Sequence, residues 1–296
     1  MIGLGSLIKR NTKLFFKDKG LFFTSLITPL ILLVLYVTFL GNVYHDSFAA
    51  TFPEGIKVPE KLLDAAVGGQ LISSLLAVCC VTVAFCSNML MVQDKVTGAR
   101  KDLTITPVKN TTLALGYYIS TLVSTLAICL VAAGAGFLYL GNVGWYLSGK
   151  DVMLILSDVF LLVMFGVALS SIINFFLSSQ GQISAVGSIV SSMYGFLCGA
   201  YMPISQFGEG LQNTLAFLPG TYATSLLRNH TLRGVFAELE ADNYPEEIIE
   251  ILKDVIDCNV YFFDNKVELQ TMYIILGGSV ILLVGIYVLM NVLKKK

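Results

Sequence analysis

The residues nearest to a known chemical motif lie at 144–151, where GWYLSGKD comes within one residue of a phosphate-binding loop. Such a loop ends in Lys followed by Ser or Thr, whose hydroxyl binds Mg²⁺, and it follows a β-strand. Asp151 occupies the hydroxyl position here, and no strand signal precedes the segment. The sequence therefore predicts no nucleotide site and no cofactor on this chain, so any ATPase, with its ATP and Mg²⁺, must be another chain.

Ionisable residues that could couple an ion or activate a nucleophile are scarce. Asp158 is the one acid in the long apolar runs, and its place near the outer end of a run favours an interfacial residue over a relay. His45 and His230 lie far apart in the sequence, so no base is available for nucleophilic catalysis. The sequence predicts no catalytic residue and argues against an ion-coupled carrier.

The cysteines do not form a recognisable framework. Five of the six lie in apolar runs and only Cys258 lies in a polar segment. Disulfide frameworks and zinc sites need paired Cys or Cys and His at short, regular spacing. We therefore expect buried thiols, with no disulfide framework and no metal site.

Composition places these residues in a membrane protein. Hydrophobic residues make up 55% of the 296 and charged residues only 13%, whereas charged residues make up about one quarter of a soluble domain. Six apolar runs reach or exceed the roughly 20 residues that a helix needs to cross a bilayer. The runs are 21–40, 67–91, 113–140, 152–177, 183–202 and 272–292. We expect an all-α polytopic membrane protein with six transmembrane helices.

Basic residues predict the orientation. Twelve of the 19 Lys and Arg residues lie in 1–20, 92–109 and 294–296, and such residues concentrate on the cytoplasmic side. Both termini are therefore expected in the cytoplasm, with the protein in the cell membrane. Residues 1–20 have an apolar arc and a basic arc, which predicts an amphipathic interfacial helix, followed by a transmembrane domain at 21–296.

The basic interruption at 92–109 predicts a short cytoplasmic helix at about 93–107. Pro107 cannot continue a helix and so ends it. We expect a rigid segment from Gly98 to Pro107 that a partner protein grips, with polar contacts at Arg100, Lys101 and Asp102 and an apolar anchor at Leu103 and Ile105.

Small residues recur at helical spacing in the fifth run. They are Ser184, Ser188, Ser191, Gly195 and Gly199. Such a face lets another helix approach closely. It predicts either packing within the chain or contact with a second copy, where the hydroxyls could also line a substrate path.

The segments between the runs on the acidic side differ in length. Residues 42–66 read as a loop, whereas the extracellular stretch at about 203–270 is long enough to hold helices. Within it, 245–256 reads as an amphipathic helix that lies on the outer leaflet or covers an exit. No role is assigned to 231–268.

With this layout, the chain resembles the permease subunits of the ABC-2 family of ABC transporters. The resemblance rests on Gly98 with Thr106-Pro107-Val108, and on two stretches, 199–207 and 217–223, followed by Arg228. It implies six spans, an N-terminal interfacial helix, a cytoplasmic coupling helix and extracellular re-entrant helices. An outer gate is then expected at Tyr201, Pro203, Phe207, Pro219 and Tyr222.

The resemblance also implies a function. We expect the transmembrane subunit of an ATP-driven exporter that moves an amphipathic, peptide, drug or lipid-linked substrate outward. Its expected partners are a separate ABC ATPase, a second permease copy and the lipid bilayer, with no nucleic acid. An immunity or sensor membrane subunit and an ATP-independent carrier are the alternatives.

Overall fold

The computed structural model describes residues 3–53, 58–105 and 108–293, and these residues are mostly helical. In chain order the helices are α1 (Leu4–Lys17), α2 (Lys19–Leu35), a π-helical turn (Tyr36–Leu40), α3 (Gly41–Thr51), α4 (Glu60–Val96), α5 (Ala99–Ile105), α6 (Asn110–Val143), α7 (Gly149–Phe176), α8 (Gln180–Leu197), a 3₁₀ turn (Ile204–Gln206), α9 (Glu209–Leu215), α10 (Pro219–Ala241), α11 (Glu246–Val255) and α12 (Leu269–Leu293). A β-hairpin of two short strands, β1 (Tyr261–Phe262) and β2 (Asn265–Lys266), precedes α12.

Helix α4 is the axis of the bundle. It packs against α2, α6, α7, α8 and α10, and its most apolar window is completely buried. Its 37 residues make it roughly 55 Å long at about 1.5 Å per residue. Since the hydrocarbon core of a bilayer is about 30 Å thick, α4 is long enough to extend well beyond it.

Among the described residues, five helices are long and apolar enough to cross a membrane. They are Lys19–Thr51, Glu60–Val96, Asn110–Val143, Gly149–Phe176 and Leu269–Leu293. Helix α8, which corresponds to the predicted run 183–202, has only 18 residues and begins with two glutamines. It is about 27 Å long, so the sixth span stays a prediction.

The first span continues further than the sequence predicted. Residues 42–51, read above as loop, are helical and form one rod of 33 residues with α2 and the π-helical turn. Tyr44 and Phe48, four residues apart, are both buried. That spacing gives α3 an apolar stripe, which the polar neighbours His45 and Asp46 obscured in the sequence.

A second hydrophobic core lies at the N-terminal end of α4. It joins Phe48 of α3 and Leu62 of α4 to the inner faces of α10 and α11. Ile248, Ile249 and Leu252 of α11 are buried in this core, so the amphipathic helix packs on protein and not on the outer leaflet. The stretch 203–270 thus holds α9, α10, α11 and the hairpin, and α10 is a 23-residue helix, not a short one.

Candidate functional site

Helix α5 projects from the C-terminal end of α4 and has an exposed tip. Gly98, with φ +85°, turns the chain between the two helices, a backbone conformation that favours glycine. Ile105 is 83% exposed, and Lys101 and Asp102 are exposed beside it. Leu103, in contrast, packs against the hydrophobic core of its own chain.

Helix α5 differs from the predicted coupling segment in its length and in the direction of one basic side chain. Helix α4 continues to Val96, so the separate helix is shorter than the predicted 93–107. Pro107, predicted as its stop, lies outside the described residues. Arg100 Nη1 is buried, and it has no hydrogen-bond partner among the residues whose positions are described. Arg100 therefore faces the bundle, unlike Lys101.

A buried carboxylate fixes the base of α5. Asp94 accepts two hydrogen bonds from Arg10 of α1, at 2.7 and 3.0 Å. It also accepts one from the Tyr117 hydroxyl of α6 at 2.6 Å. Bidentate Arg–carboxylate pairs have fixed geometry, so α1, α4 and α6 are joined at one point.

The next residue joins a further helix. Lys95 Nζ donates hydrogen bonds of 2.8 Å to the carbonyl oxygens of Asn174, Phe175 and Leu177. These are the last carbonyls of α7, where a cation is favoured by the helix dipole. The sequence analysis did not predict Asp94 and Lys95 as site residues. The available signal was their position, an oppositely charged pair directly after a long apolar run.

The small-residue face of α8 divides into two parts. Ser184 and Ser188 are exposed and Ser191 is half-buried. A Cβ on Gly195 would lie 2.4 Å from the Tyr201 ring of the same chain, and Gly199, with φ +74°, is covered by Ile204. Both glycines therefore pack against residues of their own chain. Contact with a second copy stays a prediction for the three serines.

The predicted outer-gate residues lie in one region after α8. Tyr201 and Pro203 line a cavity of about 560 Å³ between this region and the first helical rod. Phe207 closes the 3₁₀ turn through its N–H to Ile204 O at 3.0 Å. Pro219 begins α10, and the Tyr222 hydroxyl donates to Ala216 O at 2.5 Å, which ties α10 to α9.

A buried ion pair, the Arg228–Asp257 clasp, holds residues 199–207 in place. Arg228 Nη1 donates to Asp257 Oδ2 at 3.2 Å, and Arg228 Nη2 donates to Gly199 O. Asp257 also accepts the backbone N–H groups of Ile204 and Ser205. Arg228 was singled out in the sequence, whereas Asp257 was not, because it follows α11 in a segment to which no role was assigned.

A second buried pair joins three helices. Asp158 of α7, only 1% exposed, lies 2.5 Å from His230 Nδ1 of α10. Its other oxygen accepts a hydrogen bond from the Tyr273 hydroxyl of α12 at 2.6 Å. The sequence analysis predicted Asp158 as an interfacial residue without a partner, because His230 is 72 residues away and separation along the chain concealed the pair.

The near-match to a phosphate-binding loop is the start of α7. Ser148 and Asp151 form a capping box, and Asp151 also pairs with Arg233 at 3.3 Å. The carboxylate therefore occupies the helix N-terminus, where an anion would otherwise bind. Among the residues with described positions, no group of three or more His, Cys, Asp or Glu is arranged to hold a metal ion, and the six cysteines are buried and unbridged.

Comparison with known protein families gives a match to the family described as ABC-2 type transporter, over residues 3–231. A comparison with curated proteins gives no match. The matched region contains α1 to α9 and the first half of α10, with Arg228 of the clasp. It ends before α11 and Asp257.

Proposed function

The chain belongs to the ABC-2 type transporter family, and we propose that it is the permease subunit of an ATP-driven exporter. Members of this family are transmembrane permeases without an ATPase site of their own. The proposal adds a separate ABC ATPase, a second copy of the chain, outward movement of an amphipathic, peptide, drug or lipid-linked substrate, and a cell-membrane location with both termini in the cytoplasm.

The observation that carries the proposal is the exposed tip of α5. A large apolar side chain, Ile105, stands 83% exposed at the end of a helix whose base is fixed by buried charges. Isolated apolar residues of this kind act as anchors when they enter a pocket on a partner, and neighbouring polar groups such as Lys101 and Asp102 orient the contact. We propose that the pocket belongs to the ATPase.

The contacts behind α5 support its role as a coupling element. Asp94 and Lys95 join the base of α5 to α1, α6 and α7, so a displacement of α5 moves four helices together. At the outer end, α10 packs against both α4 and α7, and Asp158 pairs with His230. In this proposal, closure of the ATPase dimer on ATP moves α5 and, through these helices, residues 199–207.

The cavity of about 560 Å³ between the first rod and α8 supports a path at the surface between two copies. Apolar residues such as Ile31 and Phe196 line it together with Ser191 and Ser192. A mixed apolar and hydroxyl lining fits an amphipathic substrate. A second copy facing this cavity would enclose it.

Exchange of Ile105 tests the coupling. We expect Ile105→Asp to abolish co-purification of the ATPase and ATP-dependent export, with expression unchanged because the side chain contacts little of its own chain. Ile251→Asp, which changes a half-exposed apolar residue of α11, is the matched control and should leave both intact. An Ile105→Asp protein that still binds its ATPase and transports would contradict the coupling role.

A sensor subunit is the second candidate, and the outer core of α10 and α11 favours it because it offers a folded surface outside the main bundle. Both candidates retain the ATPase. Stimulation of ATP hydrolysis by a candidate substrate, together with its accumulation inside inverted vesicles, distinguishes export from sensing. Accumulation without any ATPase would support the ATP-independent carrier instead.

A further inference from the structure

A groove of about 890 Å³ runs between α2, α4 and α6. Its walls are almost entirely apolar, with Leu30 and Leu33 on α2, Leu75 on α4 and Val131 on α6 among the lining residues. It lies on the opposite side of α2 from the cavity assigned above to the substrate path. Nothing in the transport proposal uses it.

The sequence explains why the groove exists. Pro29 lacks an N–H and interrupts the hydrogen bonding of α2, which bends helices. The facing surface of α6 carries small residues, Ala132, Ala135 and Gly136, which leave space where larger side chains would close it. Helices α2 and α6 therefore both pack on α4 but scarcely on each other.

The walls indicate what fills the groove. All three helices are long and apolar enough to cross a membrane. Apolar cavities of proteins stay dry, and close-packed interiors do not keep voids of this size. A groove that opens sideways along such helices is filled by the hydrocarbon chains of the bilayer.

Basic residues of α1 near the groove favour a lipid with an anionic headgroup. Phe16, the residue of α1 that lines the groove, shares an arc of about 60° on the helical wheel with Lys9 and Lys13. Both lysines are exposed, and neither forms a salt bridge with any residue whose position is described. Exposed lysines beside an apolar groove attract anionic headgroups.

We infer that the groove binds an acyl chain of an anionic phospholipid whose phosphate lies on Lys9 and Lys13. The bound lipid fills the space between α2 and α6 beside Pro29. Arg10, between the two lysines, is already paired with Asp94, so the lipid contacts the same helix that fixes the base of α5. This inference concerns the bilayer and does not depend on the substrate or on the direction of transport.

Quenching of a tryptophan by brominated lipid tests the inference, because Trp145 is the sole tryptophan of the chain. In a Trp145→Phe background, Phe22→Trp places a reporter in the groove and Ile281→Trp, at a side chain 75% exposed on α12, places one against bulk lipid. The full chain is reconstituted in mixtures of plain zwitterionic lipid with brominated phosphatidylglycerol or brominated phosphatidylcholine. Leu26→Trp, also in the groove, replaces Phe22→Trp if that variant fails to fold.

We expect the groove reporter to prefer the brominated anionic lipid over the zwitterionic one by about fivefold for each lysine engaged, and the Ile281→Trp reporter to show no preference. Lys9→Gln with Lys13→Gln should remove the preference without removing the quenching. Ala135→Phe should reduce quenching by both lipids, because the ring occupies the groove. Equal quenching by both lipids at the groove reporter, or none at all while Ile281→Trp is quenched, overturns the inference.

Discussion

Three buried carboxylates join helices that are distant in the sequence. Asp94, Asp158 and Asp257 each have a basic partner and at least one further hydrogen-bond donor. A buried ion pair adds little net stability compared with apolar packing, but removal of one partner leaves an uncompensated charge. These residues therefore fix the relative positions of helices at both ends of the bundle.

Asp257 provides the clearest stability test. Asp257→Ala leaves Arg228, 1% exposed, without a counter-ion and two backbone N–H groups without an acceptor. We expect a loss of about 3–5 kcal/mol in the free energy of unfolding, measured by thermal unfolding of the detergent-solubilised protein. Glu240→Ala, at an exposed acid of α10, is the control and should change stability little. A loss equal to that of the control would show that the clasp does not hold residues 199–207.

Glu250 predicts an acid-sensitive hairpin. Hydrogen bonds from Lys266 and Lys253 lower the pKa of Glu250 from 4.5 to about 2. Its contribution to stability is therefore complete above pH 4.5 and is lost as pH falls towards 2. Pepsin, which is active in this range, should cleave the hairpin at Phe262–Phe263 increasingly as pH falls.

The matched variants separate this effect from the pH dependence of the protease. Glu250→Gln should be cleaved readily already at pH 4.5, whereas Glu246→Gln, an exposed acid in the same helix, should follow the unchanged protein. Identical cleavage profiles for Glu250→Gln and the unchanged protein would contradict the role of Glu250.

At the scale of elements, the sequence predicts the features that depend on neighbouring residues and misses those that depend on tertiary contacts. The long helices follow from apolar length, and α1 follows from its two arcs, because both are properties of neighbouring residues. The extension of the first rod through α3 and the full length of α10 depend on burial against α4. The pairs of Asp158 with His230 and of Arg228 with Asp257 depend on tertiary contact, which no spacing rule supplies.

Helix α8 gives a prediction at this scale. Gly195→Leu should destabilise the single chain, because its side chain would displace the Tyr201 ring. Gly195→Leu combined with Tyr201→Ala should recover part of the lost stability. Ser188→Leu, on the exposed part of the same helix, should spare the fold and weaken dimerisation. If the double variant recovered dimers without recovering stability, Gly195 would belong to the dimer face and not to intrachain packing.

At the scale of the whole molecule, α4 connects two structures of different character. Its C-terminal end carries α5 with the exposed Ile105, and its N-terminal end lies in the second hydrophobic core with α10 and α11. The matched family region includes the first structure and stops within the second. Beyond residue 231, the rest of α10, α11, the hairpin and α12 lie outside the family match.

The proposed orientation of the molecule makes a labelling prediction. All six native cysteines are buried, so single cysteines can be introduced at exposed positions without removing them. In intact cells, a membrane-impermeant thiol reagent should label Glu240→Cys and should label Lys101→Cys only after the membrane is opened. Labelling of Lys101→Cys alone in intact cells would reverse the topology.

The most direct test of the account is a photo-cross-link from the tip of α5. With benzoylphenylalanine in place of Ile105, irradiation of native membranes should join the chain to a protein that carries an ATP-binding cassette, and mass spectrometry should identify the adduct. The same amino acid in place of Ile251 should give no such adduct. If Ile105 joins only lipid while the cassette protein in the same membranes cross-links through Ser178 or Lys9, α5 is not the coupling helix.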